Sequence, residues 1–167
     1  MNHLLNWAKP IDIPTSRTWT RFFLRYASFM GLTNLVWESA HLPLYTLWTE
    51  GELGDLMFAV VHCTVGDVMI ASTTLGIALL LVGNVRFPAM GFNRVLVLAI
   101  GSGIAYTLFS EWLNVSIRQS WAYSDFMPVV PIIGTGLSPI AQWIFLPLFG
   151  LLWARRNFLN EETINEL

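Results

Sequence analysis

Four long apolar windows run through the chain, at residues 22–44, 56–82, 95–115 and 137–154. A hydrocarbon layer about 30 Å thick is crossed by about 20 predominantly apolar residues in a helix, so each window reads as a transmembrane span. At 1.5 Å per residue the second window reaches roughly 40 Å, which requires tilt or an extra turn outside the hydrocarbon. Helix-breaking residues fall between the windows: Glu50, Gly51, Glu52 and Gly54, then Gly83, Asn84 and Pro88, then Pro128, Pro131, Gly134 and Gly136. The pattern predicts an all-α fold, an integral membrane four-helix bundle forming a single transmembrane domain over residues 1–167. The connection at 116–136 is longer than a helix turn needs and too apolar for a free linker. It reads either as a cap over the outer mouth, bringing Arg118, Trp121, Tyr123 and Asp125 to the rim, or as an interfacial segment resting on lipid headgroups.

Composition removes the soluble alternative. The 167 residues are 54% hydrophobic and 12% charged, with a mean hydropathy of +0.56, whereas a soluble domain needs roughly a quarter of its residues charged. Nine basic against eleven acidic residues give a net charge of −2, so nucleic acid is not an expected partner. One cysteine, Cys63, rules out an intrachain disulfide and a Cys-rich zinc module.

Charge placement sets the expected direction. With four spans, Lys9, Arg17, Arg21, Arg25, Arg86, Arg94, Arg155 and Arg156 fall on one side and only Arg118 on the other. The positive-inside rule then places both termini in the cytoplasm of a multi-pass protein of the cell membrane, in bacteria the inner membrane. Trp19 and Trp153 fall at the inner interface and Trp48, Trp112 and Trp121 at the outer one. Residues 1–10 lack a basic leader with a cleavage site, and residues 2–20 read as a cytoplasmic arm touching the membrane surface through Leu4, Leu5, Trp7 and Trp19.

Against this apolar background the ionisable residues stand out. Glu38 and His41 lie in the first span, His62 and Asp67 in the second, and Glu111 in the third, all in the outer half or at the midplane. Charges in hydrocarbon are costly unless paired, so groups at similar depth on three helices are expected to converge. Glu38 and His41 lie three residues apart, about 60° around a helix, and can face one neighbour. His62 and Asp67 lie five apart, about 140°, and cannot aim at one point without a distortion near Gly66. Asp67 shares its face with Cys63, Thr64, Ala71 and Thr74, Glu111 aligns with Thr107 and Asn114, and the fourth span offers Ser138 and Gln142.

Two chemistries suit this set. Carboxylates and imidazole in a low dielectric can act as general acid and base, with Glu38, His41, His62, Asp67 and Glu111 as the catalytic group. Asn114, Arg118, Trp121, Tyr123, Gln142 and Trp143 would then contact substrate. Alternatively, His41, His62, Glu38 and Asp67 are ligands of a divalent metal in a metal-ion or proton carrier. The plain alternative is a set of buried hydrogen bonds that fixes helix packing, with Glu111 reaching interfacial water, Trp143 packing, and Cys63 filling space. Several activities are excluded: retinal needs an intramembrane lysine and the only lysine is Lys9, while a voltage sensor needs an arginine ladder. Three histidines cannot ligate two haems, which leaves room for at most one. Neither a GxSxG nor an HExxH motif occurs.

The acid and His of the first span, His62-Cys63-Thr64, Gly103-Ile104-Ala105-Tyr106 with Ser110-Glu111, and Gln142-Trp143 followed by Pro147 together resemble the emopamil-binding, sterol-isomerase type of membrane protein. That resemblance implies an intramembrane cavity in which a proton is moved across a sterol double bond, with Glu38, His41 and Glu111 as acid and base and Trp143 stabilising carbocation character. The chain departs from that family in the order of Glu and His in the first span, in Gln142 where the family has Asn, and in the family's additional span. The sequence therefore leads to a membrane enzyme acting on a lipid or isoprenoid-like substrate, with a metal or proton carrier and a structural subunit as alternatives. Expected partners are membrane lipid and either a second copy or a larger membrane complex.

Overall fold

The computed structural model of the protein describes residues 16–165, with the side chains of 157 and 159–165 excepted. The described residues are mainly helical: α1 (Ser16–His41), a 3-10 turn (Leu42–Leu44), α2 (Leu47–Glu50), α3 (Leu53–Val82), α4 (Phe92–Glu111), a π-helical turn (Trp112–Ile117) and α5 (Leu137–Asn165). Among the described residues the only β pairing is two isolated bridges, Tyr45 with Tyr123 and Val129 with Gly136. The residues expected to form the surface arm, Leu4, Leu5 and Trp7, lie outside the described part.

Three helices are long and apolar enough to cross a membrane: Leu53–Val82, Phe92–Ile117 and Leu137–Arg156. The fourth long helix, α1, has the length but is more polar, because Arg17, Arg21, Arg25, Asn34 and Glu38 fall within it. Each long helix packs against two others, α1 on α3 and α5, and α4 on α3 and α5. The buried positions of α1 recur at a spacing of four, Phe22, Tyr26, Met30, Asn34 and Glu38, as a helix with one inward stripe requires. That stripe is aromatic at its start and polar at its end, and this gradient divides the interior into two regions.

The aromatic region is closed by Phe22, which meets Phe87 edge to face at 5.3 Å, and by Trp19, which stacks on Phe87 at 5.6 Å. Arg155 lies 4.5 Å over the Phe92 ring, so the last helix is tied to the start of α4 by a cation–π contact. Gly91 caps α4 at φ 77, a left-handed conformation open to glycine without strain. At the polar end α3 starts on a reciprocal cap, in which the Glu52 side chain accepts from the Asp55 backbone and the Asp55 carboxylate accepts from the Glu52 N–H at 3.0 Å.

Candidate functional site

The polar end of α1 feeds a continuous hydrogen-bonded network. Gln142 on α5 is its hub: Nε2 lies 2.7 Å from Asn34 Oδ1, 2.8 Å from Glu38 Oε1 and 2.9 Å from Asp67 Oδ2. An amide nitrogen has two protons, so one of the three contacts is shared. Asn34 is oriented by its own Nδ2, which donates to Met30 O at 2.8 Å and leaves its oxygen facing Gln142. Glu38 and Asp67 are thereby joined through the Gln142 amide, which links α1, α3 and α5 at one point.

The other Glu38 oxygen, Oε2, lies 3.0 Å from His41 Nε2, and His41 Nδ1 lies 3.1 Å from Ser138 Oγ. Ser138 Oγ in turn receives the Trp37 indole N–H at 3.3 Å. An indole N–H can only donate and a carboxylate can only accept, so in the neutral imidazole the chain has one direction. Ser138 O–H donates to Nδ1, and Nε2–H donates to Glu38. A second proton on His41 requires only that the Ser138 hydroxyl turn and accept.

Across from this network stands Glu111, the last residue of α4. The Tyr123 hydroxyl donates to Glu111 Oε2 and accepts the Gly136 N–H at 2.9 Å. Burial, together with the Glu111 charge, raises the Tyr45 and Tyr123 hydroxyls above their ordinary range, so both stay protonated at neutral pH. The Tyr45 ring lies 5.6 Å from Tyr123 and 5.3 Å from His41, so it bridges the two walls. The buried Trp121 indole N–H faces Glu111 without completing a hydrogen bond of normal geometry.

Between these walls lies a cavity of about 350 Å³, lined by Glu38, His41, Asp67, Glu111, Gln142 and Trp143 together with Tyr45, Asn114, Arg118 and Trp121. Trp143 packs against α4 where Gly103 omits a side chain; a Cβ there would clash with Trp143 Cε3. The connection after α4 crosses over the cavity and is held to the segment after α1: Thr46 N donates to Ala122 O at 3.0 Å, and Ser124 N to Leu44 O at 2.9 Å. These bonds tie residues 122–124 to protein. Beyond them Phe126, Ile132 and Ile133 are exposed.

The residues singled out from sequence separate into three groups. Glu38, His41, Asp67 and Gln142 share one network, and Glu111 and Tyr123 form the opposite pair. His62 belongs to neither hydrogen-bonded group: it lines the cavity at its exposed rim and stacks on Phe58 at 5.3 Å, while α3 continues unbroken past Gly66. Asn114 turns back on its own helix and donates to Ser110 O at 2.9 Å. Asp125 is exposed and outside the cavity lining.

The metal alternative built on His41, His62, Glu38 and Asp67 is not assembled. Among the described residues no group of three or more His, Cys, Asp or Glu side chains is arranged to hold a metal. The physical reason is the Gln142 amide nitrogen, a donor occupying the point where the Asn34, Glu38 and Asp67 oxygens converge. Both His41 ring nitrogens are engaged by protein partners, Ser138 and Glu38. Sequence reasoning missed Asn34 and Tyr45. Asn34 could have been found, since it stands one turn before Glu38 on the same stripe; Tyr45 lies in a connection with no periodicity to read. No family model, no curated protein and no solved structure matches the chain.

Proposed function

We propose that the protein is a four-span integral membrane enzyme that performs proton-transfer chemistry on a lipid or isoprenoid-like substrate. That α1 joins the three apolar helices in the bilayer is supported by its outward face, where Phe23, Leu24, Leu32, Leu35 and Val36 are exposed while Asn34, Glu38 and His41 are buried. An exposed apolar face around a polar interior suits lipid as solvent. The one-sided distribution of Lys and Arg supports cytoplasmic termini and a site in the outer half of the membrane.

The observation that carries the reading is one cavity bounded by two separate carboxyl-bearing walls. On one wall the Glu38–Asp67 pair, backed by His41 and Ser138, can take up or release a proton with little heavy-atom motion. On the other, Glu111 and Tyr123 form an acid and donor pair. A substrate between them could lose a proton to one wall and gain one from the other, as an allylic double-bond shift requires, and the Trp143 face would stabilise positive charge developing between.

Comparative mass spectrometry of lipid extracts from cells that express the protein, Glu38→Gln or Glu111→Gln tests the reading. A lipid that changes with the wild-type chain and not with either variant is expected, with both variants still folded by circular dichroism. Turnover undiminished in Glu38→Gln would overturn it.

A further inference from the structure

The exposed part of the cavity lining lies on one side of the bundle. The paired connections cover it at one end, and Trp143 against Gly103 closes the other. The exposed residues of its lining include His62 on α3, Tyr106 on α4 and Arg118 at the end of the π turn, so the opening lies along the boundary of α3 and α4. Both of these helices are apolar enough to cross a membrane, and their exposed neighbours here are Phe58, Val65 and Phe109. Such an opening faces lipid rather than water.

At this opening stands a single cation. Arg118 is the only Lys or Arg in the cavity lining, and no side-chain hydrogen bond or ion pair of its guanidinium occurs among the described residues. The backbone places it there deliberately in geometric terms: Arg118 N donates to Leu113 O at 2.8 Å, closing the π turn, and Gln119 follows at φ 52. A π turn and a left-handed non-glycine residue in succession are both disfavoured locally and recur at functional sites.

We infer that the cavity takes a single-chain amphiphile with an anionic oxygen headgroup, a phosphate or a carboxylate, which enters sideways between α3 and α4 and rests its headgroup on Arg118. This rests on the membrane reading above and specifies the substrate class of the same site. An anion drawn further in would meet Glu38, Asp67 and Glu111, so the headgroup stops at the mouth and the uncharged chain is what reaches the acids. A volume of about 350 Å³ is at the small end of ligand pockets and suits one chain segment rather than a two-chain lipid.

Cys63 supplies a local readout, because it is the only cysteine and it lines the cavity. Maleimide labelling of the full chain in phosphatidylcholine nanodiscs is measured with dodecyl phosphate, dodecanol or inorganic phosphate present. Tryptophan quenching by bromododecyl phosphate gives an independent binding curve. Dodecyl phosphate is expected to protect Cys63, and Arg118→Gln to raise the half-protecting concentration about tenfold, the loss of one charge-assisted bond, with Arg118→Lys largely restoring it. Inorganic phosphate should protect at no concentration that dodecyl phosphate needs. Equal protection by inorganic phosphate, or an unchanged curve in Arg118→Gln by both readouts, overturns the inference. Protection of Cys63 in the wild-type chain reads binding and the lipid extracts read turnover, so a failure of the proton-transfer reading is seen separately.

Discussion

Replacing Gln142 with Met tests the network at its hub. Methionine is close to glutamine in length and shape, so little cavity is created and the loss is almost purely of hydrogen bonding. The wild-type amide meets three oxygens at 2.7, 2.8 and 2.9 Å, of which its two protons can satisfy two fully. Polar contacts between helices in a membrane contribute about 0.6–2 kcal/mol each. Leaving buried acceptors without a donor adds about 1–3 kcal/mol, more when the acceptor is charged. Together these predict a destabilisation of about 3–5 kcal/mol. Reversible unfolding in mixed micelles, followed by tryptophan emission, measures it directly. Combining Gln142→Met with Asn34→Ala gives the coupling, expected at about 1 kcal/mol or more because the two side chains share a bond. A loss below about 1 kcal/mol for Gln142→Met, or additive behaviour of the two substitutions, would refute the claim that Gln142 holds α1, α3 and α5 together.

Other outcomes follow from single contacts. Gly103→Ala should destabilise by about 1–3 kcal/mol and change tryptophan emission, because the new Cβ displaces Trp143; unchanged emission would contradict the packing. Tyr123→Phe removes both the donor to Glu111 and the acceptor for Gly136 N–H, and should speed maleimide labelling of Cys63 about tenfold by loosening the connection over the cavity. Ile132→Gly should stabilise by about 1 kcal/mol in thermal unfolding, since Ile132 is held at φ 77 while fully exposed. Tyr45 and Tyr123 hold their protons more tightly folded than unfolded, so the stability they confer is complete below about pH 10 and is lost as pH rises beyond it. Unfolding midpoints measured from pH 8 to 11 should fall at the alkaline end, and less steeply in Tyr123→Phe.

Much of the site was legible, but unevenly. Glu38 and His41 were placed together by a spacing of three on one helix, and the structure joins them at 3.0 Å. Asp67 and Gln142 were marked because polar groups in an apolar span need partners, yet nothing in the chain said that each would be the other's. The spacing argument set His62 and Asp67 about 140° apart on one helix; both line the cavity, with Asp67 on the Gln142 amide and His62 stacked on Phe58. The Ser138–His41 contact joins residues 97 apart in the chain and depends on how α5 sits against α1, which no local pattern encodes. The π turn after Glu111 was not visible either, since an i to i−5 bond leaves no compositional mark.

Composition and hydrophobic periodicity by themselves determined the helical class and the three helices apolar enough to cross a membrane, because both depend only on the residues of each segment. They also placed Glu38, His41, His62, Asp67 and Glu111 toward one end or the middle of their helices, since that is a matter of position along each helix. Which groups meet, which one stands at the hub, and where the wall opens were decided only by tertiary packing. Hydrogen bonds such as Gln142 to Asn34, Glu38 and Asp67 depend on rotation and depth of separate helices, and those are set by contacts such as Trp143 against Gly103.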